Sequence, residues 1–369
     1  MAVNRTMIKN NTAGFLNILV PLLLALLVGA CFIMIAGYNP LEVYLLIAKT
    51  AFTSDGWMQT LGFSCPIILT GIATAFAFQS GLWNIGVEGQ LYCGAFAAAL
   101  VGAGYFGLDA IPAFLQMPAA LLAGILMGTI YAMIPALLKA YLNVDVVVTT
   151  IMLNYIAIEF TEFLTKVFFQ GDSTYDATYA VSEAAEIPNI ISRYRVTYAI
   201  FLAVLVVAIV WFISRKTSFG YEISAIGRQL EFSEATGMRV RKKIIIIFMI
   251  SGAIAGIAGA TEVLGVNKNF TPNFSTNPGF GWHGYYTAVL AHNNPLGVLI
   301  IAILFGGFRY GTIAAQSSLG IPLDLVNIIQ GTLILFYAIK YISSRSRFLE
   351  KIFSWIPEKT AKTAKEGGK

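Results

Sequence analysis

Residues 62–105 read GFSCPIILTGIATAFAFQSGLWNIGVEGQLYCGAFAAALVGAGY. This apolar stretch is long enough to cross a bilayer twice, because one crossing helix needs about 20 residues. Its centre, however, is polar and rich in glycine, and it contains the carboxylate of Glu88. Non-helical backbone persists at membrane depth only where protein or a water-filled cavity surrounds it. The stretch therefore predicts a helix that is broken inside the membrane.

The composition of the whole chain places it among membrane proteins. Of its 369 residues, 57% are hydrophobic and 12% are charged, whereas a soluble domain is about 45–50% apolar and about 25% charged. The apolar excess is spread along the chain, so we expect a multi-pass protein of the cell membrane. Cys31, Cys65 and Cys93 lie in or beside apolar runs without CxxC spacing, which favours buried thiols and argues against a zinc site.

We predict an all-α, polytopic membrane protein of about ten transmembrane helices, some of them broken. The predicted spans are 15–36, 62–80, 85–105, 113–138, 146–168, 196–213, 244–265, 283–293, 296–312 and 323–341. The span 283–293 is too short to cross, and with the interruption in 62–105 it forms the pair of broken helices that indicates a transport site. Glycines recur at the spacing of close helix contacts in three pairs: Gly124/Gly128, Gly252/Gly256 and Gly307/Gly311.

The distribution of positive charge predicts the orientation. Lysine and arginine mark the cytoplasmic side of a membrane protein, and seven lie between Arg215 and Lys243, with eight more between Lys340 and Lys369. We therefore expect both termini in the cytoplasm, a tail at 1–14, a transmembrane domain at 15–341 and a basic tail at 342–369. Because these charges flank membrane spans, they do not indicate a nucleic-acid partner.

The polar cluster of the broken stretch is the best candidate for a solute site. A carboxylate inside the membrane costs at least ~2.5–3.5 kcal/mol, so Glu88 needs a reason to be there. Asn84, Glu88 and Gln90 could hydrogen-bond a polar solute beside the ring of Trp83, or Glu88 could accept N–H groups that the break exposes. The two roles are compatible. Asn154 is either a pathway residue or, by the simpler reading, a hydrogen-bonding residue inside the bundle.

The loop at about 214–243 also has two interpretations. Short amphipathic helices with basic residues could lie on lipid headgroups, or they could dock a motor subunit, and composition alone favours the former. No Walker A motif occurs in the sequence, so ATP that drives this protein must bind elsewhere. No serine or cysteine constellation accompanies His283 and His292, which argues against an enzyme.

The sequence resembles the permease subunits of ATP-binding-cassette (ABC) importers for nucleosides, in the group that also serves ribose-type sugars and branched-chain amino acids. The resemblance covers roughly residues 37–311. It is carried by motifs in the family's order: GYNP at 37–40, NIGVEGQ at 84–90, TIMLNYI at 150–156, the segment 220–237, ISGAIAGIAGA at 250–260, NNPLG at 293–297 and LFGG at 304–307.

This resemblance implies a ten-helix permease fold and a set of partners. The loop at about 214–243 would dock on a cytoplasmic ABC ATPase, through Gly227, Arg228, Glu231, Glu234 and Gly237. A second, related permease would complete a heterodimeric pathway, and an external lipoprotein would deliver a nucleoside. This chain would bind no cofactor, since ATP and Mg²⁺ would sit on the ATPase.

The same resemblance implies that Asn84, Glu88, Gln90 and Asn154 line the pathway, and Trp83 is added to them for the stacking face described above. The sequence thus predicts nucleoside import by alternating access, driven by a separate ATPase. Two alternatives stay open on the residues alone. One is an ABC permease for a sugar or an amino acid, and the other is an ion-coupled carrier that acts without an ATPase.

Overall fold

A computed structural model describes residues 23–105, 107, 112–172, 174–275, 279–321, 328, 331 and 332. Within these residues the regular structure is helical, apart from one isolated bridge between Asn189 and Thr197. The helices are α1 (Leu23–Ile35), α2 (Pro40–Phe52), α3 (Ser54–Phe78), α4 (Val87–Gly102), α5 (Ala113–Leu142), α6 (Val146–Val167), α7 (Ala199–Lys216), α8 (Ser218–Arg228), α9 (Leu230–Ala235), α10 (Val240–Glu262), α11 (Phe280–Leu290) and α12 (Pro295–Leu319).

The chain divides into two compact units. Residues 47–311 form the larger unit, and residues 1–46 with 312–369 form the smaller one. In the smaller unit, the Tyr44 hydroxyl donates to the Leu26 carbonyl at 2.8 Å, which ties α2 to α1. All of the candidate site residues belong to the larger unit.

Six helices of the described residues are long and apolar enough to cross a membrane. They are Ser54–Phe78, Ala113–Leu142, Val146–Val167, Ala199–Lys216, Val240–Asn267 and Pro295–Leu319. The fifth consists of α10 and the π-helical turn Val263–Asn267 that follows it. A seventh span results if α1 and α2 are counted together. The all-α membrane class is confirmed, whereas the count of about ten spans and the cytoplasmic termini stay predictions. The tails 1–14 and 342–369 lie outside the described residues, as does most of the span 323–341.

The structure differs from the prediction most clearly before and within α3. The second predicted span began at residue 62, but α3 begins at Ser54, where the Thr53 hydroxyl caps the helix by accepting the Gly56 N–H at 3.2 Å. The helix Pro40–Phe52 was not predicted at all. It lies between the predicted spans 15–36 and 62–80, and its sequence carries Glu42 and Lys49.

The helix α5 shows how the bundle packs. Its buried residues are small, among them Gly124, Gly128 and Ala132, while the large Leu126 and Ile130 on other faces are exposed. This reverses the pattern of a soluble helix, because lipid solvates large apolar side chains and small residues let helices approach closely.

The glycine pairs mark these close approaches. A Cβ atom at Gly128 would lie 2.8 Å from the Gly256 Cα atom, and one at Gly124 would lie 3.2 Å from the Gly256 carbonyl oxygen. Likewise, a Cβ atom at Gly311 would lie 2.6 Å from the Ile47 carbonyl oxygen. The helix-packing role predicted for these glycines is confirmed, and α10 lies at the centre of the unit against α3, α4 and α5.

Both predicted interruptions are present. The helix α3 ends at Phe78 and α4 begins at Val87, so residues 79–86 form a non-helical break. The second interruption is α11, which has 11 residues and is too short to cross a bilayer. The hydroxyl of Thr70 on α3 donates to the Phe280 carbonyl at 2.9 Å, which fixes the start of α11 beside α3.

Candidate functional site

A pair of side-chain amides fixes the backbone of the break at residues 79–86. The Asn84 and Gln90 side chains exchange hydrogen bonds, at 3.3 Å from Asn84 Nδ2 to Gln90 Oε1 and at 3.2 Å in return. Asn84 also accepts the Gly86 N–H at 3.0 Å and donates to the Ser251 hydroxyl of α10 at 3.0 Å. Both amides are fully buried. Their polar atoms are therefore used to satisfy each other and the backbone of the break.

Asn154 on α6 clamps the other side of the break. Its Oδ1 accepts the Gly89 N–H at 2.7 Å, and its Nδ2 donates to the Ile85 carbonyl at 2.9 Å. The residue before α4, Gly86, has no side chain that could cap this helix. Asn154 thus supplies the acceptor that a capping side chain would provide, since the first N–H groups of a helix have no partner within it.

Glu88 caps a different helix. It is 3% exposed, and its Oε2 accepts the Gly281 N–H at 2.5 Å in the first turn of α11. The Trp282 N–H and the Ser275 side chain also hydrogen-bond the carboxylate, and Arg309 attracts it electrostatically. Helix N-termini favour negative groups because their N–H groups point outwards unpaired. The carboxylate therefore joins the two broken helices, α4 and α11.

Aromatic rings surround the exposed side of the break. Trp83 is 49% exposed, and its ring lies 4.8 Å from that of Phe78. The Phe78 ring lies 5.9 Å from Tyr285, which in turn is 6.3 Å from Trp282. We call Trp83, Trp282 and Tyr285 the aromatic face. Its members are exposed or half-buried, so each has ring surface that the rest of the chain leaves uncovered.

An ion pair at the C-terminal end of α10 was not predicted. Arg195, from the segment between α6 and α7, pairs with Glu262 at the end of α10, and the guanidinium lies 4.5 Å from the Phe63 ring centroid. Glu262 is 2% exposed. Sequence reasoning could not join the two charges, since they are 67 positions apart.

The residues predicted to couple to an ATPase lie on or beside two short helices. Gly227 and Arg228 end α8, Glu231 and Glu234 lie on α9, and Gly237 follows with a φ of 83°. The four residues Arg228, Glu231, Glu234 and Gly237 are exposed. They therefore form a surface that a partner can contact.

One of these residues also touches the break. A Cβ atom at Gly227 would collide with the Gln79 carbonyl oxygen and lie 3.1 Å from the Gly81 nitrogen. Gly81 adopts a φ of 72°, which favours glycine. Backbone thus packs on backbone here, and the end of α8 lies directly against the interruption between α3 and α4.

The geometry describes a bundle with two linked broken helices, and sequence comparison agrees with it. Residues 57–338 match the family described as the permease component of the branched-chain amino acid transport system. The chain belongs to this permease family. The matched residues include the break, α8 to α11 and the glycine contacts, and no solved structure matches the chain. Among the described residues, no three His, Cys, Asp or Glu side chains are placed to hold a metal ion.

Three relatives cover most of the permease. The guanosine ABC transporter permease NupP of Bacillus subtilis is 35% identical over 89% of this chain and 95% of its own length. The nucleoside ABC transporter permease NupB of Lactococcus lactis is 30% identical over 90% and 93%. The glucose ABC transporter permease TsgB13 of Haloferax volcanii is 28% identical over 85% and 84%.

These likenesses establish the class of protein. It is a multi-pass membrane permease of an ABC system, which agrees with the predicted transport role and not with an enzyme. Bacillus subtilis and Lactococcus lactis each contribute a second ABC permease that also matches this permease. Because the chain belongs to an ABC permease family, we set aside the interpretation as an ion-coupled carrier.

Proposed function

We propose that this permease forms the translocation pathway for nucleosides in an ATP-driven importer. The observation that carries the proposal is its likeness, over about nine-tenths of its length, to permeases named for guanosine and for nucleosides. The match to a glucose permease supports a second candidate, a sugar. Both solutes are neutral and rich in hydroxyl groups, and only the nucleoside has a planar base.

The aromatic face supports the nucleoside over the sugar. Bases stack on aromatic side chains with a free energy of about 1–3 kcal/mol per base. Trp83 presents half of its surface at the break, and Tyr285 and Trp282 continue the same group of rings along α11. In our proposal the base passes along this face, with Trp83 as the main contact.

In our proposal, the buried polar residues lie behind the aromatic face. Asn84, Gln90 and Asn154 keep the break in shape, and Glu88 holds α11 against α4. Their hydrogen bonds to protein groups make them positioning residues of the pathway in our proposal. Any movement that separates α4 from α11 would free the Glu88 carboxylate to accept a hydroxyl or a base N–H, so the two predicted roles of Glu88 belong to different states.

The cytoplasmic loop supports coupling to an ATPase. In our proposal the ATPase contacts Arg228, Glu231, Glu234 and Gly237, and its closure moves α8. Because Gly227 packs against the backbone of the break, a shift of α8 would be transmitted to Trp83. ATP and Mg²⁺ would bind the ATPase, and this permease would hold no cofactor.

The remaining partners follow from the ABC system. We propose that a second, related permease pairs with this one as a heterodimer, because the two nucleoside systems among the relatives each contain a second matching permease. An external lipoprotein would deliver the nucleoside to the outer side of the pair.

Uptake by cells tests the substrate. Cells with and without the gene are given labelled guanosine, and unlabelled nucleosides, glucose and branched-chain amino acids are added as competitors. We expect uptake that depends on the gene and falls with other nucleosides. Competition by glucose alone would assign the permease to sugars, and gene-independent uptake of guanosine would refute the nucleoside role.

A further inference from the structure

Two adjoining cavities open at the cytoplasmic start of α10. Their volumes are about 430 Å³ and about 530 Å³, and they share Met238, Arg239 and Lys242 as lining residues. Together they extend from Glu222 on α8 to Tyr141 at the end of α5. The nucleoside pathway proposed above uses none of these lining residues except Glu234 and Gly237 at its cytoplasmic docking surface.

The charge inside these cavities is positive and largely uncompensated. Arg239, Arg241 and Lys242 are exposed, and within the described residues none of them lies within ion-pair distance of a carboxylate. Lys243 differs, because it pairs with Glu222 and lies 5.0 Å from the Phe219 ring centroid. The one other acidic lining residue is Glu234. Within the described part of the chain, the cavities thus hold three unpaired cations and one unpaired carboxylate, and this excess of positive charge attracts an anion.

Two lining residues of the larger cavity, Tyr141 and Ile245, lie at the ends of long apolar helices. Tyr141 is 64% exposed at the last turn of α5, and Ile245 is half-buried on the first turns of α10. Both helices are long enough to span the bilayer. The cations therefore lie beside the ends of two helices that are long enough to enter the hydrocarbon region. A soluble anion would use only the cations, whereas an amphiphile would use the cations and the apolar surface of these helices.

We propose that these cavities bind an anionic phospholipid of the cytoplasmic leaflet. Its phosphodiester would lie among Arg239, Arg241 and Lys242, and its acyl chain along Tyr141 and Ile245. Basic residues beside a membrane helix attract anionic headgroups, and here the cavity gives the attraction a defined place. Because Thr236 and Gly237 also line the space, the lipid would brace the end of the coupling loop against α10.

The sequence offers a matched control for the test. Arg241 and Lys242 are adjacent and exposed in the first turn of α10, and Arg215 and Lys216 are adjacent and exposed in the last turn of α7. The first pair lines the cavities described above, and the second pair is not among their lining residues. The full-length permease, R241Q/K242Q and R215Q/K216Q are purified in an uncharged detergent, and native mass spectrometry counts bound phosphatidylglycerol, with phosphatidylcholine in parallel.

We expect phosphatidylglycerol to bind the wild type and R215Q/K216Q in preference to phosphatidylcholine, and its affinity for R241Q/K242Q to be weaker by about thirtyfold. Equal binding by all three proteins would overturn the proposal. So would displacement of the lipid by inorganic phosphate at millimolar concentration, which would assign the site to free anions. If R241Q/K242Q no longer co-purified with the ATPase but bound phosphatidylglycerol as the wild type does, the cations would belong to the ATPase contact and the proposal would be overturned.

Discussion

Replacing Glu88 by alanine separates the two roles of its carboxylate. In the structure the carboxylate accepts the N–H groups of Gly281 and Trp282 at the start of α11. Alanine removes this acceptor from a site that is 3% exposed. Water cannot take its place without entering the bundle, so both N–H groups lose their partner.

The expected cost follows from these two donors. Leaving one buried donor unsatisfied costs about 1–3 kcal/mol, so Glu88→Ala should destabilise the permease by about 2–6 kcal/mol. Glu88→Gln keeps one carbonyl oxygen for Gly281 and should lose about half as much. Gly281→Ala should also destabilise the permease. Its Cβ atom would lie 2.6 Å from the Glu88 backbone nitrogen and would force α4 and α11 apart.

Thermal unfolding in detergent measures the stability, and labelled nucleoside uptake measures function. Glu159→Ala is the matched control, because Glu159 is an exposed carboxylate on the membrane helix α6. We expect a clear fall in the unfolding temperature for Glu88→Ala, a smaller one for Glu88→Gln and none for Glu159→Ala, with uptake falling in the same order.

One result would refute this reasoning. If Glu88→Ala unfolds at the wild-type temperature while the KM for nucleoside rises strongly, the carboxylate is a solute ligand and not the cap of α11. If both stability and uptake are unchanged, Glu88 has neither role.

Three further predictions concern other contacts of the larger unit. Gly227→Ala places a methyl group against the Gln79 carbonyl, which should lower the free energy of unfolding by about 1–3 kcal/mol and uncouple ATP hydrolysis from uptake. Normal uptake at a normal ATPase rate would contradict the proposed contact. Removing either Arg195 or Glu262 should destabilise the fold by about 3–5 kcal/mol, and replacing both with apolar residues should cost less. If thermal unfolding shows that the losses of the two single variants add up in the double variant, the two side chains do not form a pair. Trp83→Ala should raise the KM for nucleosides about five- to hundredfold through lost stacking, whereas Trp83→Phe should raise it far less; equal effects in initial-rate uptake would show that no ring stacks there.

The broken helices could be predicted because their signal is local. Asn84, Glu88 and Gln90 stand within seven residues of an apolar run, and a bilayer makes such groups costly. The glycine pairs were equally readable, since Gly124, Gly128 and their partners on α10 follow the spacing of one helix turn. In both cases the information lies within a single helix.

The partners of the polar groups could not be predicted. The Gly281 N–H lies 193 positions from Glu88, and Arg195 lies 67 positions from Glu262. Which carboxylate meets which donor depends on how the helices are arranged, and periodicity does not contain this. The prediction therefore placed Glu88 at its own break and could not show that it caps the other broken helix.

The orientation of Trp83 and its amide neighbours was also beyond the sequence. All were predicted as one pathway cluster, yet Trp83 is 49% exposed and Asn84 is fully buried. Adjacent residues in a non-helical break can point in any direction, because no regular period relates their side chains. The structure separates the ring that a solute can reach from the amides that hold the backbone.

The most direct test of the central claim is the energy source of nucleoside uptake. Cells that express the permease are given labelled guanosine, with vanadate to inhibit ATP hydrolysis or with a protonophore to collapse the proton gradient. The account predicts prompt loss of uptake with vanadate and little early effect of the protonophore. Immediate loss with the protonophore and resistance to vanadate would contradict ATP-driven nucleoside import.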